Sequence, residues 1–137
     1  MKKHKVTILL PKVFEELYKR NLKKIFNDKY IMREIFFNKL YSKQQIIDIA
    51  ADEKVLIITL ETIDRDVLEA YSNLKILVIY GVGFNNIDIQ AAKEKGIYVT
   101  NTPNANAISV AEFTIGLILN CMCKICFSHN QLRNKNW

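Results

Sequence analysis

The sequence lacks a run of apolar residues long enough to cross a membrane. The longest candidate, Ile115–Phe127, is shorter than a bilayer requires and contains Lys124. A secretion signal is also lacking, because the apolar run Val6–Leu10 behind the basic start is too short and no small-residue cleavage site comes after it. We therefore expect neither a membrane protein nor a secreted protein.

The chain also lacks a dense arginine patch, although its formal net charge is +6. Basic residues are spread along the whole sequence, which is typical of a solvated surface rather than of a nucleic-acid interface. The three cysteines are an odd number and lie close together, which favours reduced thiols and a cytoplasmic location. No nucleic-acid partner is expected.

A second pair of metal ligands is lacking as well. Cys121, Cys123, Cys126 and His129 are close in sequence, and the last three are spaced so that one helix face could carry them. Tetrahedral zinc sites usually draw on two separated ligand pairs. Cysteines acting as small buried apolar residues explain the cluster better, and we predict no metal.

Five apolar runs of strand length alternate with helical patterns from end to end. The runs are Val6–Leu10, Tyr30–Phe37, Val55–Leu60, Ile76–Tyr80 and Ile97–Val99. Such alternation predicts an α/β domain, a five-stranded parallel sheet of order 2-1-3-4-5 as in flavodoxin-like folds, with Tyr30–Phe37 at an edge. At 137 residues the chain is long enough for one domain with a real core.

The helices between these strands have recognisable starts and stops. An amphipathic helix is predicted over Lys12–Phe26, with a turn after it at Asn27–Asp28; Ser42 with Gln45 forms a capping box; Asp64 and Asp88 are helix caps; Gly96 ends the fourth helix. The last helix, Ala107 to about Cys126, is apolar on nearly every side. Such a helix lies in a core or is shared with something outside the domain.

Two other families with this fold are disfavoured by the residues directly after the first strand. A receiver domain needs acidic residues there, and a flavodoxin needs a Ser/Thr/Gly-rich phosphate loop. Pro11 and Lys12 occupy those positions instead.

The turn Gly81-Val82-Gly83 lies directly after the fourth strand. Glycine tolerates positive φ and has no Cβ, so backbone amides in such a turn can approach an anion closely. A dinucleotide fingerprint would need a third glycine where Asn86 stands, and an acid near Thr100 or Asn101. A nucleotide pyrophosphate site is therefore disfavoured, while an anion site and a purely structural turn both remain open.

The stretch Leu74–Leu119 resembles the amino-terminal part of the D-isomer-specific 2-hydroxyacid dehydrogenases. The matching residues are Gly81, Gly83, Asn86, Ile87, Asp88, Ala91, Ala92, Gly96, Ile97, Val99, Asn101, Thr102, Pro103, Val110, Ala111 and Glu112. One position departs from the family pattern, since Asn85 stands where the family has aspartate.

The resemblance implies roles for individual residues. The amides of Val82 and Gly83 would hold the carboxylate of a small 2-oxo or 2-hydroxy acid, with Thr59 beside it. Relatives acting on phosphoglycerate carry Arg-Ser near Thr59 and Leu60, so an unphosphorylated substrate of the glyoxylate or hydroxypyruvate kind is implied. Val82 and Val110 would lie near the nicotinamide.

The resemblance also implies that a half of the enzyme is missing. A substrate-side domain at 1–106 and an interdomain or dimerisation helix with a tail at 107–137 are predicted, without the Rossmann domain that binds NAD or NADP. The catalytic Arg, Glu and His belong to that domain, and His4 and His129 are at the wrong places to replace them. We expect no tight cofactor binding and no catalytic residue in this chain.

Two hypotheses are consistent with these features. The chain is the amino-terminal part of an NAD(P)-dependent dehydrogenase, inactive alone, which forms a homodimer or binds a partner through the 107–126 helix. Alternatively, it is a non-enzymatic flavodoxin-like module that binds a partner through the same helix.

Overall fold

A computed structural model describes residues 4–22, 30–50 and 52–136. The strands are His4–Pro11 (β1), Tyr30–Phe37 (β2), Val55–Ile58 (β3), Ile76–Ile79 (β4) and Tyr98–Thr100 (β5). The α-helices are Glu15–Leu17 (α1), Lys43–Ala50 (α2), Arg65–Ala70 (α3), Ile89–Glu94 (α4), Ala107–Cys123 (α5) and Ile125–Arg133 (α6). A 3₁₀ turn, Lys12–Phe14, precedes α1, and a π-helical segment, Tyr18–Leu22, comes after it.

The five strands form one parallel sheet in the order β2-β1-β3-β4-β5, which confirms the predicted fold. β1 lies inside the sheet and is buried on both faces. Leu9 belongs to the larger core, while Val6, Ile8 and Leu10 belong to a smaller core that includes Tyr18. The larger core contains the inward residues of α2, α3 and α4, so most of the buried volume lies on one face of the sheet.

Four strands differ from the predicted bounds: β1 extends over His4–Pro11, β4 ends at Ile79 rather than Tyr80, and β3 and β5 are changed by local hydrogen bonds. β3 ends at Ile58 rather than Leu60, because the amides of Thr59 and Leu60 donate to the Glu61 side chain instead of to a neighbouring strand. β5 begins at Tyr98 rather than Ile97, because the Ile97 amide donates to the carbonyl of Ala92 at the end of α4. In both places a local hydrogen bond takes the amide away from the ladder.

The predicted helix Lys12–Phe26 was wrong as a regular α-helix. The described residues pass through 3₁₀, α and π geometry in turn, and Lys23–Lys29, including the predicted turn Asn27–Asp28, lies outside the described residues. Apolar spacing of three and four residues is compatible with all three geometries, so the pattern could not distinguish them. Tyr18 is buried, its hydroxyl donates to Glu34 over 3.0 Å, and burial, aided by this contact, raises its pKa far above the ordinary value.

The predicted single helix Ala107–Cys126 is two helices. Lys124 takes the left-handed conformation, with φ 52°, and α5 and α6 are bent by 60° at this point. The side-chain oxygen of Asn120 accepts the Cys126 amide over 2.9 Å and so caps the start of α6. The segment after Cys126, which we expected to be a tail, continues as α6 to Arg133. The left-handed backbone conformation of Lys124 changes the direction of the helix, and the apolar periodicity of the sequence does not reveal such a change.

The chain divides into two compact units, Met1–Pro103 and Asn104–Trp137. Within the second unit, no residue of α5 or α6 among those described is buried. The predicted functional division at 106/107 stays a prediction. No single helix in the described ranges is long and apolar enough to cross a bilayer, and α5 with α6 reaches that size only as a bent pair.

The helix caps agree with the sequence. The Ser42 amide donates to the Gln45 side chain over 2.9 Å, with the reciprocal contact at 3.4 Å, as in a capping box. The carboxylates of Asp64 and Asp88 accept the amides of Val67 and Ala91. At the end of α4, Gly96 has φ 65° and its amide donates to Lys93, which together with the Ile97 amide bond forms a Schellman motif.

Replacing Gly96 with alanine should therefore destabilise the domain by about 1 kcal/mol, because a Cβ is strained in the left-handed region. Thermal or urea unfolding measures this. Gly96→Asn is the matched control, since asparagine tolerates the same conformation better. Equal losses for alanine and asparagine would contradict the backbone explanation.

The Asp64 cap predicts a pH dependence. Lys43 Nζ lies 2.8 Å from Asp64 Oδ2, and this contact, followed by the Val67 amide, lowers the pKa of Asp64. A lowered folded-state pKa means that the contribution to stability is present above about pH 4 and is lost as the pH falls through the folded-state pKa. In Lys43→Ala the pKa of Asp64, followed by NMR, should rise toward its ordinary value.

Lys54→Ala is the control, because Lys54 is exposed and makes no ion pair with another described residue. An unchanged Asp64 titration in Lys43→Ala would show that the Val67 amide alone sets the shift.

Candidate functional site

A cleft of about 520 Å³ opens at the carboxyl edge of the sheet. It is lined by residues that come after β1, β3 and β4: Pro11, Phe14, Thr59, Leu60, Tyr80, Gly81, Val82, Gly83, Asn85 and Asn86. The chain leaves β1 toward β2 on one side and returns to β3 on the other, so the cleft lies at the point where the strand order reverses. Open parallel sheets bind ligands at such a point.

The structure brings together three of the four predicted site residues. Thr59, Val82 and Gly83 line the same cleft, although Thr59 is more than twenty residues away from the other two in sequence. Val110 lies on α5 in the second unit, where its side chain is 52% exposed. Their roles toward substrate and cofactor stay predictions.

The backbone of the glycine turn is oriented by residues after β5. The Thr102 amide donates to the Gly81 carbonyl over 3.0 Å, and the Asn101 side-chain amide donates to the Val82 carbonyl over 2.7 Å. In a planar trans peptide the N–H points opposite to the C=O. The N–H groups of Val82 and Gly83 therefore point away from Asn101 and Thr102, and in the described part of the chain they donate to no protein acceptor.

The sequence pattern identifies Asn101 and Thr102 only as part of a turn. Their contribution depends on β5 lying beside β4, which places the residue after one strand next to the turn after the other. The sequence signal that could have indicated this contribution is that Asn101 and Thr102 are two polar residues close behind the predicted strand β5.

The expected reason for the glycines needs correction. Neither Gly81 nor Gly83 has positive φ, and Gly96 is the glycine in the left-handed region. A Cβ built on Gly81 would meet no atom closer than 3.8 Å, and one on Gly83 would meet nothing within 4 Å. The fold itself does not require glycine at position 83, which leaves close approach of a ligand as a reason for it.

None of the described residues that line the cleft carries a formal charge. Its polar groups are the free amides, the Thr59 hydroxyl, the Tyr80 phenol and the side chains of Asn85 and Asn86. Aspartate at position 85 would place a negative charge on this wall, whereas asparagine places hydrogen-bond donors there. The ring of Phe14 meets Tyr80 edge-on at 6.1 Å, which gives the cleft an apolar side. The arrangement suits a small anion with a short carbon skeleton.

Elsewhere, metal binding finds no support among the described residues, which contain no group of three or more His, Cys, Asp or Glu able to hold an ion. Cys121, Cys123 and Cys126 are exposed free thiols rather than the buried apolar residues that we expected. The break at Lys124 separates Cys123 from Cys126 and His129, so these three residues do not share the helix face that their spacing allowed.

Comparison with known proteins identifies the family. The family model for the D-isomer specific 2-hydroxyacid dehydrogenase catalytic domain matches residues 12–134. The chain belongs to this family. The resemblance found over Leu74–Leu119 therefore extends over nearly the whole of this dehydrogenase-family chain.

Individual relatives agree with the assignment. The hydroxypyruvate reductase of Thermotoga maritima is 43% identical over 96 residues, covering 69% of this chain and 31% of that protein. The apo-structure of D-lactate dehydrogenase from Escherichia coli has a TM-score of 0.75 at 25% identity, covering 96% of this chain and 42% of that one. NAD⁺-bound 3-phosphoglycerate dehydrogenase from Entamoeba histolytica has a TM-score of 0.74 at 29% identity, and the match covers 87% of this chain and 39% of that one. This dehydrogenase-family chain thus spans less than half the length of these relatives.

The glycine turn generates a direct prediction. Gly83→Ala should leave the free energy of unfolding within about 0.5 kcal/mol of wild type, because the added Cβ meets open space, yet it should weaken binding of a small carboxylate about tenfold. Urea unfolding and an NMR titration with glyoxylate measure the two effects. A large loss of stability, with binding unchanged in the folded fraction, would favour the purely structural turn.

Proposed function

We propose that this chain is the substrate-binding part of an NAD(P)-dependent dehydrogenase that reduces small 2-oxo acids to D-2-hydroxy acids. The orientation of the glycine turn carries the proposal. Two anchored carbonyls leave the N–H groups of Val82 and Gly83 without protein acceptors in the described part of the chain, beside a 520 Å³ cleft. Fixed amide dipoles of this kind can hold a carboxylate and orient the adjacent carbonyl carbon.

Thr59 supports a small polar ligand. Thr59 lines the cleft, and its buried hydroxyl oxygen has no hydrogen-bond partner among the described residues, so a ligand oxygen that reached this hydroxyl would satisfy it. Neither lysine nor arginine is among the described residues that line the cleft, so a phosphate group would find no cation there. We therefore infer an unphosphorylated substrate of the glyoxylate or hydroxypyruvate kind, in keeping with the name of the Thermotoga maritima relative.

Proton and hydride chemistry would come from the rest of the enzyme. The described residues that line the cleft include no carboxylate, imidazole, amine or thiol that could act as a general base. The glycine turn lacks the third glycine and the helix start of a pyrophosphate site, so this chain does not fit a dinucleotide by itself. NAD or NADP would supply the hydride, and the exposed side chain of Val82 at the cleft is a candidate contact for the nicotinamide ring.

A second candidate function is partner binding through the 107–126 helix. Large apolar side chains on α5 are exposed to solvent, among them Ile108 (77%), Phe113 (69%) and Met122 (75%). An exposed apolar helix is typical of an interface, and it fits a homodimer as well as another partner. Sedimentation distinguishes a dimer formed through this surface from a monomer. A chain that stays monomeric at high concentration would argue against the homodimer and against an exposed apolar surface available to another partner.

An NMR titration tests the main proposal. Glyoxylate should shift the amide resonances of Val82 and Gly83, with a dissociation constant on the order of 1 mM or weaker because so few ligand atoms make contact. Glycolaldehyde, which lacks the carboxylate, should leave them unchanged, and 3-phosphoglycerate should bind more weakly. Absent or α5-centred shifts would reject the carboxylate site. The isolated chain should not oxidise NADH with glyoxylate above a blank.

A further inference from the structure

Glu61 is a buried acid directly behind β3, and no sequence pattern pointed to it. Its side chain is 2% exposed. Oε2 accepts two backbone amides, those of Thr59 over 2.8 Å and Leu60 over 3.1 Å. Both of those residues line the proposed substrate cleft. The carboxyl group therefore replaces the strand partner that the chain loses where β3 ends.

The same residue is joined to the opposite wall. The Asn86 side-chain amide donates to the Glu61 carbonyl over 2.6 Å, and the Ile63 amide donates to the Asn86 carbonyl over 2.9 Å. Asn86 comes shortly after the glycine turn and itself lines the cleft. The loop after β3 and the loop after β4 are thus connected by hydrogen bonds at Glu61 and at Ile63.

A carboxyl group at this place is costly for the fold. The second oxygen, Oε1, is buried and has no hydrogen-bond partner in the described part of the chain. Buried polar atoms without a partner are rare, and an apolar side chain would avoid this cost. An apolar side chain could not accept the amides of Thr59 and Leu60, however. Leu60 is 64% exposed although its amide donates to Glu61. The hydrogen bonds to Glu61 therefore fix the backbone of Thr59 and Leu60 at the cleft wall and do not serve to bury the Leu60 side chain.

We propose that Glu61 is a positioning residue for substrate binding, which holds the Thr59–Leu60 wall in register with the amides of Val82 and Gly83. The inference rests on the proposed function, because its consequence is the affinity for a small 2-oxo acid. Glu61 touches no reacting atom in this account. Its effect passes through the backbone of Thr59 and Leu60, which line the cleft and whose amides it accepts.

The test compares Glu61→Leu, which removes both acceptor oxygens, with Glu61→Gln, which keeps one acceptor at similar size. In Glu61→Leu, hydrogen exchange of the Thr59 and Leu60 amides should accelerate about tenfold or more, and glyoxylate affinity, read at Val82 and Gly83, should fall about tenfold. Glu61→Gln should restore both quantities to within about threefold of wild type. If Glu61→Leu does not fold, Glu61→Asp replaces it, because the shorter side chain cannot reach both amides.

Glu53→Leu is the matched control. Glu53 is a second buried acid with an unpartnered oxygen among the described residues, but it precedes β3 and so lies at the opposite edge of the sheet. It should change neither the exchange of Thr59 and Leu60 nor glyoxylate affinity. Faster amide exchange of Thr59 and Leu60 in Glu61→Leu with unchanged glyoxylate affinity would mean that Glu61 stabilises the loop without affecting binding, and would overturn the proposal.

Unchanged exchange in Glu61→Leu would overturn the proposal as well, whatever the ligand does. A wild-type chain that does not bind glyoxylate would reject the proposed function and, with it, the link from Glu61 to affinity. The exchange data would then still show separately whether Glu61 holds the wall. The two failures are therefore distinguishable.

Discussion

Two hydrogen bonds determine what the candidate site can do. Asn101 and Thr102, behind β5, hold the carbonyls of Val82 and Gly81, and peptide planarity then points the next N–H groups along the chain the other way. Reversing either peptide would present a carbonyl oxygen to the cleft and repel a carboxylate. The anchoring pair can reach the turn only because β5 is paired with β4, so the strand order is a precondition of the site.

The opposite wall is organised by a different kind of contact. Directly after β3, the buried carboxyl group of Glu61, rather than a neighbouring strand, accepts the amides of Thr59 and Leu60. The result is a cleft whose backbone is fixed on two sides, while its described lining side chains carry no formal charge. Recognition of a small anion in such a place depends on oriented dipoles and shape rather than on an ion pair.

Much of the fold could be predicted because its signals are local. Continuous apolar runs identified the strands, and the side chains of Ser42, Asp64 and Asp88 identified helix starts where the structure has them. The exceptions also have local physical causes. Apolar spacing did not distinguish the three helical geometries after β1, and it did not register the left-handed Lys124 that divides the last helix. The number and order of the strands are robust to such details, whereas the number and direction of the helices are not.

The sequence by itself determined the family, the parallel sheet and the residues of the glycine turn, because these depend on motifs and periodicity carried by contiguous segments. Only the tertiary structure decided which way the turn's amides point, and that Glu61 is a buried acceptor rather than a surface acid. Both facts depend on contacts between a loop and its surroundings at the sheet edge. Glu61 looks like an ordinary polar residue in sequence, and Asn101 belongs to the family pattern without a stated role, since nothing in their own neighbourhood records which amides or carbonyls the fold will bring to them.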